Sequence, residues 1–243
     1  MPVGIFLGRI VFFDFLRGLA VLGMILFHFF FDLNYFNVLE ISIHTGAWFW
    51  FARIIAGMFV FLAGITIPLA FNRKGKNVTT YLLRRGLFLI GLGGIITLVT
   101  YFLFPAYTIW FGILHFLGAG MILSIPFAQH PRVAIGIGTI VLLIGIGLSL
   151  TPSLFSFPHW IGIFPFIFTT FDYFPLLPWF GLMLLGMGFG HYWYKRYGRV
   201  GECFFLTRQS ASIIAWLGRK SLLIYLIHQP ILVGFVLFFR MID

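Results

Sequence analysis

The chain has 243 residues, 61% of them hydrophobic and only 9% charged, and 34 are phenylalanine. Such a composition lies far outside the range of soluble domains and marks an integral membrane protein. Its net charge of +10 would point to nucleic acid in a soluble protein, but membrane orientation explains it here, so no nucleic-acid partner is expected. Cys203 is the single cysteine and permits no intramolecular disulfide; no Cys or His spacing resembles a zinc site, so no metal is expected either.

In chain order, the hydropathy predicts an all-α polytopic bundle forming one domain over residues 1–243. Its seven spans fall at roughly 10–31, 48–71, 82–103, 109–128, 132–151, 176–194 and 219–239. The apolar run from Ile10 is too long, and too interrupted by charge, for a cleavable signal, so it is read as the first helix. Within it, DFLRGLAVLGMILFHFFFD carries Asp14, Arg17, His28 and Asp32. At about 100° per residue these four fall within roughly 60° of one line. An ionisable group at membrane depth costs about 3 kcal/mol on insertion scales and normally faces a protein interior or a watery cavity. The stripe is therefore a candidate functional site. The bland reading pairs Asp14 with Arg17 at the inner interface and leaves His28 to a neighbouring helix.

The first span is followed by the acidic segment from Asp32 to His44. The second is followed by NRKGKNVTTYLLRR, with Arg73, Lys74, Lys76, Arg84 and Arg85. Placing this basic loop in the cytoplasm brings Arg9, Arg132, Lys195, Arg196, Arg199, Arg208, Arg219 and Lys220 to the same side, and leaves Arg53 and Arg240 opposite. The expected N terminus is thus inside and the C terminus outside. The segment Pro152 to Pro175 is aromatic and Pro-rich and reads as a re-entrant or surface piece. Glu202 to Ala215 reads as an amphipathic interfacial helix stopped near Gly218. Gly86, Gly91, Gly93, Gly94, the Gly136 to Gly147 run, Gly181, Gly186, Gly188 and Gly190 lie in or beside apolar helices rather than after a strand. They read as close-packing positions, not as nucleotide loops.

On this topology His28, Asp32, His44, Arg53, His115, His159 and Asp172 lie toward the outer side, and Arg17, Arg84 and Arg85 toward the inner side. Asp172 opens DYFPLLPWFG ahead of the sixth span, where a carboxylate orients an imidazole, binds a substrate hydroxyl or caps a helix. His228, in SLLIYLIHQP, reads as a helix-to-helix hydrogen bond. Transfer of an acyl group from a thioester needs a base or a nucleophile, and His serves as either. It also needs cations for an anionic carrier, and the guanidinium groups of Arg17, Arg84 and Arg85 can take phosphates bidentately. The eleven residues from Arg17 to His28 span about 16 Å of helix, comparable with an extended carrier arm.

The segments DFLRGLAVLGMILFH, ARIIAGMFVFLAGITI, YLLRRGLFLI, ILHFLGAG, DYFPLLPWFGLMLLG and LGRKSLLIYLIHQP, with the His44 segment, form an ordered series over nearly the whole chain. Together they resemble the bacterial and archaeal branch of the heparan-alpha-glucosaminide N-acetyltransferase catalytic-domain family. Arg17 with ten residues before His28 is also similar to the Arg-x10-His signature of the acyltransferase-3 membrane family. The resemblance implies a multi-pass acyltransferase of the cell membrane. It would move an acetyl or short acyl group from cytoplasmic acyl-CoA to a hydroxyl or amino group of a sugar or other small acceptor at the outer face. In the acyltransferase-3 relatives the His matching His28 is implicated in catalysis, whereas in the heparan-type enzymes the catalytic His occupies the position of His44. His28 or His44 would then be base or transient acyl carrier, with Asp32 orienting it. Arg17, Arg84 and Arg85 would hold acetyl-CoA, and Arg53, His115 and Asp172 would meet the acceptor. The expected partners are the bilayer, a small-molecule or glycan acceptor and, in a homo-oligomer, further copies of the chain. A proton-coupled small-solute transporter is the competing reading, with the His and Asp stripe as proton relay; the chain lacks the paired broken helices common in transporters.

Overall fold

The structure, a computed structural model, describes residues 11–43, 45–150, 161, 169–197 and 209–241. Among these residues the regular structure is helical throughout. The helices are α1 (Val11–Tyr35), α2 (Gly46–Lys74), α3 (Val78–Leu103), α4 (Ile113–Leu123), α5 (Pro131–Leu150), α6 (Leu176–Tyr197), α7 (Gln209–Arg219) and α8 (Ser221–Arg240). Five stretches are long and apolar enough to cross a membrane: Val11–Tyr35, Gly46–Phe71, Val78–Leu103, Pro131–Ser149 and Ser221–Arg240. The all-α membrane architecture expected from composition is what folds.

Two of the seven expected spans come out differently. The stretch predicted over 109–128 is an 11-residue helix, about 16 Å long. It is bracketed by 3-10 turns at Pro105–Tyr107 and Ile125–Phe127. Proline at the start of each turn interrupts α-helical hydrogen bonding, which is why hydrophobicity alone overestimated this element. Helix α6 has 22 residues, but Leu177 is non-helical (φ −96°, ψ 129°) and its last turn carries Lys195 and Arg196. A polar, aromatic C-terminal end sets it apart from the five apolar helices. Of the segment expected to be re-entrant, only Ile161 and residues 169–175 are described; His159 lies outside the described residues, as do His44 and Glu202 to Arg208.

The chain divides into two compact units, one from Met1–Phe59 with Tyr197–Asp243 and the other from Val60–Arg196. In the first unit α1 packs along α7 and α8. The approach of α1 to α7 is set by two glycines: a Cβ at Gly18 would strike the Ile214 carbonyl, and one at Gly218 would strike the carbonyl of Asp14. Helix α7 is therefore docked on α1, with Ala215 and Gly218 buried and Ile213 and Trp216 exposed. At its far end α1 stops in a Schellman motif. Asn37 takes a left-handed conformation (φ 55°), Val38 N–H donates to the Leu33 carbonyl at 2.8 Å, and Asn37 N–H donates to that of Asn34 at 3.0 Å. The Asn34 side chain then accepts from the Ile41 N–H at 3.0 Å and pins the following loop.

In the second unit, glycines again set how closely the helices approach. A Cβ at Gly118 on α4 would meet the Gly86 carbonyl on α3 at 2.5 Å, and one at Gly181 on α6 would meet the Gly138 carbonyl on α5 at 2.6 Å. The later half of α2 meets α6 in the same way, with Gly64 against Met183, and Gly186 and Gly190 against Phe61 and Ile65. The packing role expected of the glycines holds at Gly86, Gly93, Gly138, Gly181, Gly186, Gly188 and Gly190, whereas Gly91, Gly94, Gly136 and Gly147 face open space. Large apolar side chains such as Leu87, Leu98, Phe102, Leu143, Ile231 and Phe238 face outward, as lipid-facing residues do.

Candidate functional site

Helix α1 carries the stripe as one unbroken element, so Arg17 and His28 keep their predicted separation along the helix. At its N-terminal end Arg17 Nη1 lies 3.4 Å from Asp14 Oδ1, and Asp14 is buried. This is the ion pair of the bland reading.

Farther along, the stripe meets α8. His28 Nδ1 lies 3.1 Å from His228 Nε2, with ring centroids 4.8 Å apart. His228 is 7% exposed, and its Nδ1 donates to the Tyr225 carbonyl one turn back at 2.6 Å. Next to it in sequence, Gln229 Nε2 donates to Asp32 Oδ1 at 2.8 Å. Asp32 is 2% exposed, and among the described residues neither its Oδ2 nor Gln229 Oε1 has a hydrogen-bond partner. The helix-to-helix hydrogen bond expected of His228 is present, and its partner is His28. Asp32 was expected to orient His28 from one turn away. Its bonded oxygen instead faces Gln229, and His228 together with the Met24 backbone holds the imidazole. Gln229 was missed in the sequence reading. The signal for it was a second polar residue directly after His228 in an apolar helix, but the matching of 28 with 228 and 32 with 229 bridges some 200 residues and is not a periodicity.

Arg53, also in the first unit, is exposed on α2 with its guanidinium carbon 4.5 Å from the centre of the Phe49 ring one turn earlier. This cation–π contact holds its orientation.

The second unit holds His115, Asp172, Arg84 and Arg85. Asp172 Oδ2 accepts the Ile113 N–H at 2.9 Å, capping the first turn of α4 rather than the helix it precedes in sequence. Its segment is fastened along the chain leading into α4. Thr170 Oγ1 donates to the Thr108 carbonyl at 2.8 Å, Phe171 N–H to that of Tyr107 at 3.2 Å, and Phe174 N–H to that of Phe111 at 3.0 Å. Beside Asp172, burial pushes the Tyr173 phenol up to about 12, so it stays protonated. His115, two residues into α4, stacks on Phe111 (5.7 Å, 25°) and fills the space over Gly93. Its Nδ1 is buried without a hydrogen-bond partner among the described residues. Arg84 and Arg85 are exposed near the start of α3. Among the described residues no group of three or more His, Cys, Asp or Glu is placed to hold a metal ion.

The structure thus brings His28 and Asp32 together with His228 and Gln229 in the first unit, and Asp172 with the entrance of the His115 helix in the second. Residues 9–230 match the family model described as "Heparan-alpha-glucosaminide N-acetyltransferase, catalytic". No curated protein and no solved structure matches the chain.

Proposed function

This chain belongs to the heparan-alpha-glucosaminide N-acetyltransferase catalytic family, and on that premise we propose that it is a membrane acetyltransferase using cytoplasmic acetyl-CoA and an acceptor at the outer face. The observation that carries the reading is the match itself: it runs from residue 9 to residue 230, through both units, and takes in α1 and the His228 end of α8. Bound acetyl-CoA supplies a thioester whose carbonyl carbon is open to attack by an amine or hydroxyl.

In this reading the His28 ring takes the proton from the acceptor's N–H or O–H as the new C–N or C–O bond forms and the C–S bond breaks. The same ring then returns the proton to the departing thiolate, so the imidazole ends as it began. His44 is the other candidate for this role. The exposed guanidinium groups of Arg84 and Arg85 suit the phosphates of an anionic carrier, and Arg17, already facing Asp14, is the third cation assigned to it. Acceptor contacts are assigned to Arg53 in the first unit and to His115 and Asp172 in the second, with Asp172 also serving as a helix cap. The branch of the family, the inside N terminus and the plasma-membrane location are parts of this proposal that rest on the sequence.

Purified protein in detergent tests it. With labelled acetyl-CoA, the proposal expects release of free CoA together with label on an added glucosamine-type or hydroxylated acceptor. Acyl transfer needs no sealed compartment, whereas transport does. Absence of label transfer in detergent, with solute uptake in sealed proteoliposomes, would sink the enzyme reading in favour of a transporter.

A further inference from the structure

The hydrogen-bond chain on α8 constrains the chemistry of His28 as well as its position. A carbonyl oxygen only accepts, so the 2.6 Å contact with Tyr225 puts a proton on Nδ1 of His228. In neutral His228 that leaves Nε2 bare, 3.1 Å from His28 Nδ1. Two bare ring nitrogens at that separation would oppose their lone pairs, so the proton between the rings belongs to His28 Nδ1. The free lone pair of His28 is then on Nε2.

We infer that His228 is a positioning residue that holds His28 in its Nδ1–H tautomer, leaving Nε2 as the nitrogen that takes the acceptor's proton. This rests on the base role proposed above. The arrangement parallels a Ser-His-Asp set, in which the group behind the imidazole fixes its tautomer and steadies the imidazolium that forms. Here the His28 ring also hydrogen-bonds to the Met24 backbone one turn earlier, and the group behind it is a second imidazole, itself anchored to a backbone carbonyl. That choice suits its place. His228 is almost fully buried on an apolar helix, where a carboxylate in the same position would be an uncompensated anion. The nearest carboxylate along the stripe, Asp32, is held to Gln229 instead. As His28 takes up its proton, its Nδ1–H already points at the His228 acceptor, so charge develops against a group that needs no reorientation.

The test reads nitrogen-15 signals from histidine-labelled full-length protein in detergent, with His28 assigned by the signals lost in His28→Asn. Wild-type protein should show a pyrrole-like Nδ1 and a pyridine-like Nε2 for His28. His228→Leu should release the ring into a tautomer mixture and slow acetyl transfer by roughly 10-fold or more, within the range for loss of acid-base support. His228→Gln, whose side-chain oxygen can accept in place of Nε2, should keep the tautomer and recover most of the turnover. A wild-type His28 protonated on Nε2 overturns the inference, and so does an unchanged tautomer in His228→Leu. The wild-type spectrum decides the matter even if His228→Leu fails to fold. Because the tautomer is read without any acyl donor, protein that keeps it yet transfers no acetyl group overturns the base role of His28 and leaves the tautomer lock standing.

Discussion

Asp172 illustrates what a single residue does here and how far sequence could anticipate it. A carboxylate ahead of a helix was expected to cap, to orient a histidine or to bind a hydroxyl. Its observed bond is to the N–H of Ile113, 59 positions earlier. Capping carboxylates are worth about 1 kcal/mol, so Asp172→Ala should lower thermal stability by roughly that amount, while Asp172→Asn, which keeps an acceptor oxygen, should retain most of it. A melting series on the purified variants checks this. The same limit applies to the stripe. Its members were legible because ionisable residues in an apolar helix stand out and helical geometry places them on one side. Their partners were not. His228 and Gln229 meet His28 and Asp32 only through the packing of α8 on α1, and nothing in either helix alone says which polar residue of one faces which of the other.

The order of the helices followed from hydropathy, with ends displaced by a few residues where capping decided them, as at Asn37. The stretch around α4 failed because apolar character was mistaken for length, and Pro105 and Pro126 cut the element short. Close packing holds for some of the helix glycines and not for others, because each role depends on its neighbours. A Cβ at Gly218 would strike the Asp14 carbonyl, whereas Gly91 and Gly136 have nothing within 4 Å. Overpacking a tight contact costs about 1–3 kcal/mol. Gly218→Ala should therefore destabilise the protein by that order and loosen α7 from α1. Gly91→Ala should be neutral or slightly stabilising, since Ala is a better helix former than Gly by about 1 kcal/mol. Denaturant titration in detergent separates the two. Equal losses in both variants would count against glycine-governed packing of α7 on α1.

For the whole molecule, composition alone identified a helical membrane protein, and the ordered motifs gave the family. Sidedness rests on the basic loops, because positive charge is retained on the cytoplasmic face. A cysteine at Asn77 should react only with membrane-permeant reagents in intact cells, and one at Glu40 with impermeant reagents; reversed labelling would exchange the proposed donor and acceptor faces. The central claim is chemical, and the most direct measurement is acetyl-CoA turnover alongside coenzyme A affinity for wild type, His28→Ala and His44→Ala in detergent. A base is lost to catalysis without being lost to binding. His28→Ala should therefore keep its coenzyme A affinity and lose turnover by roughly 100-fold or more. Turnover near wild type in folded His28→Ala would contradict the account, and loss in His44→Ala alone would move the chemical step to His44.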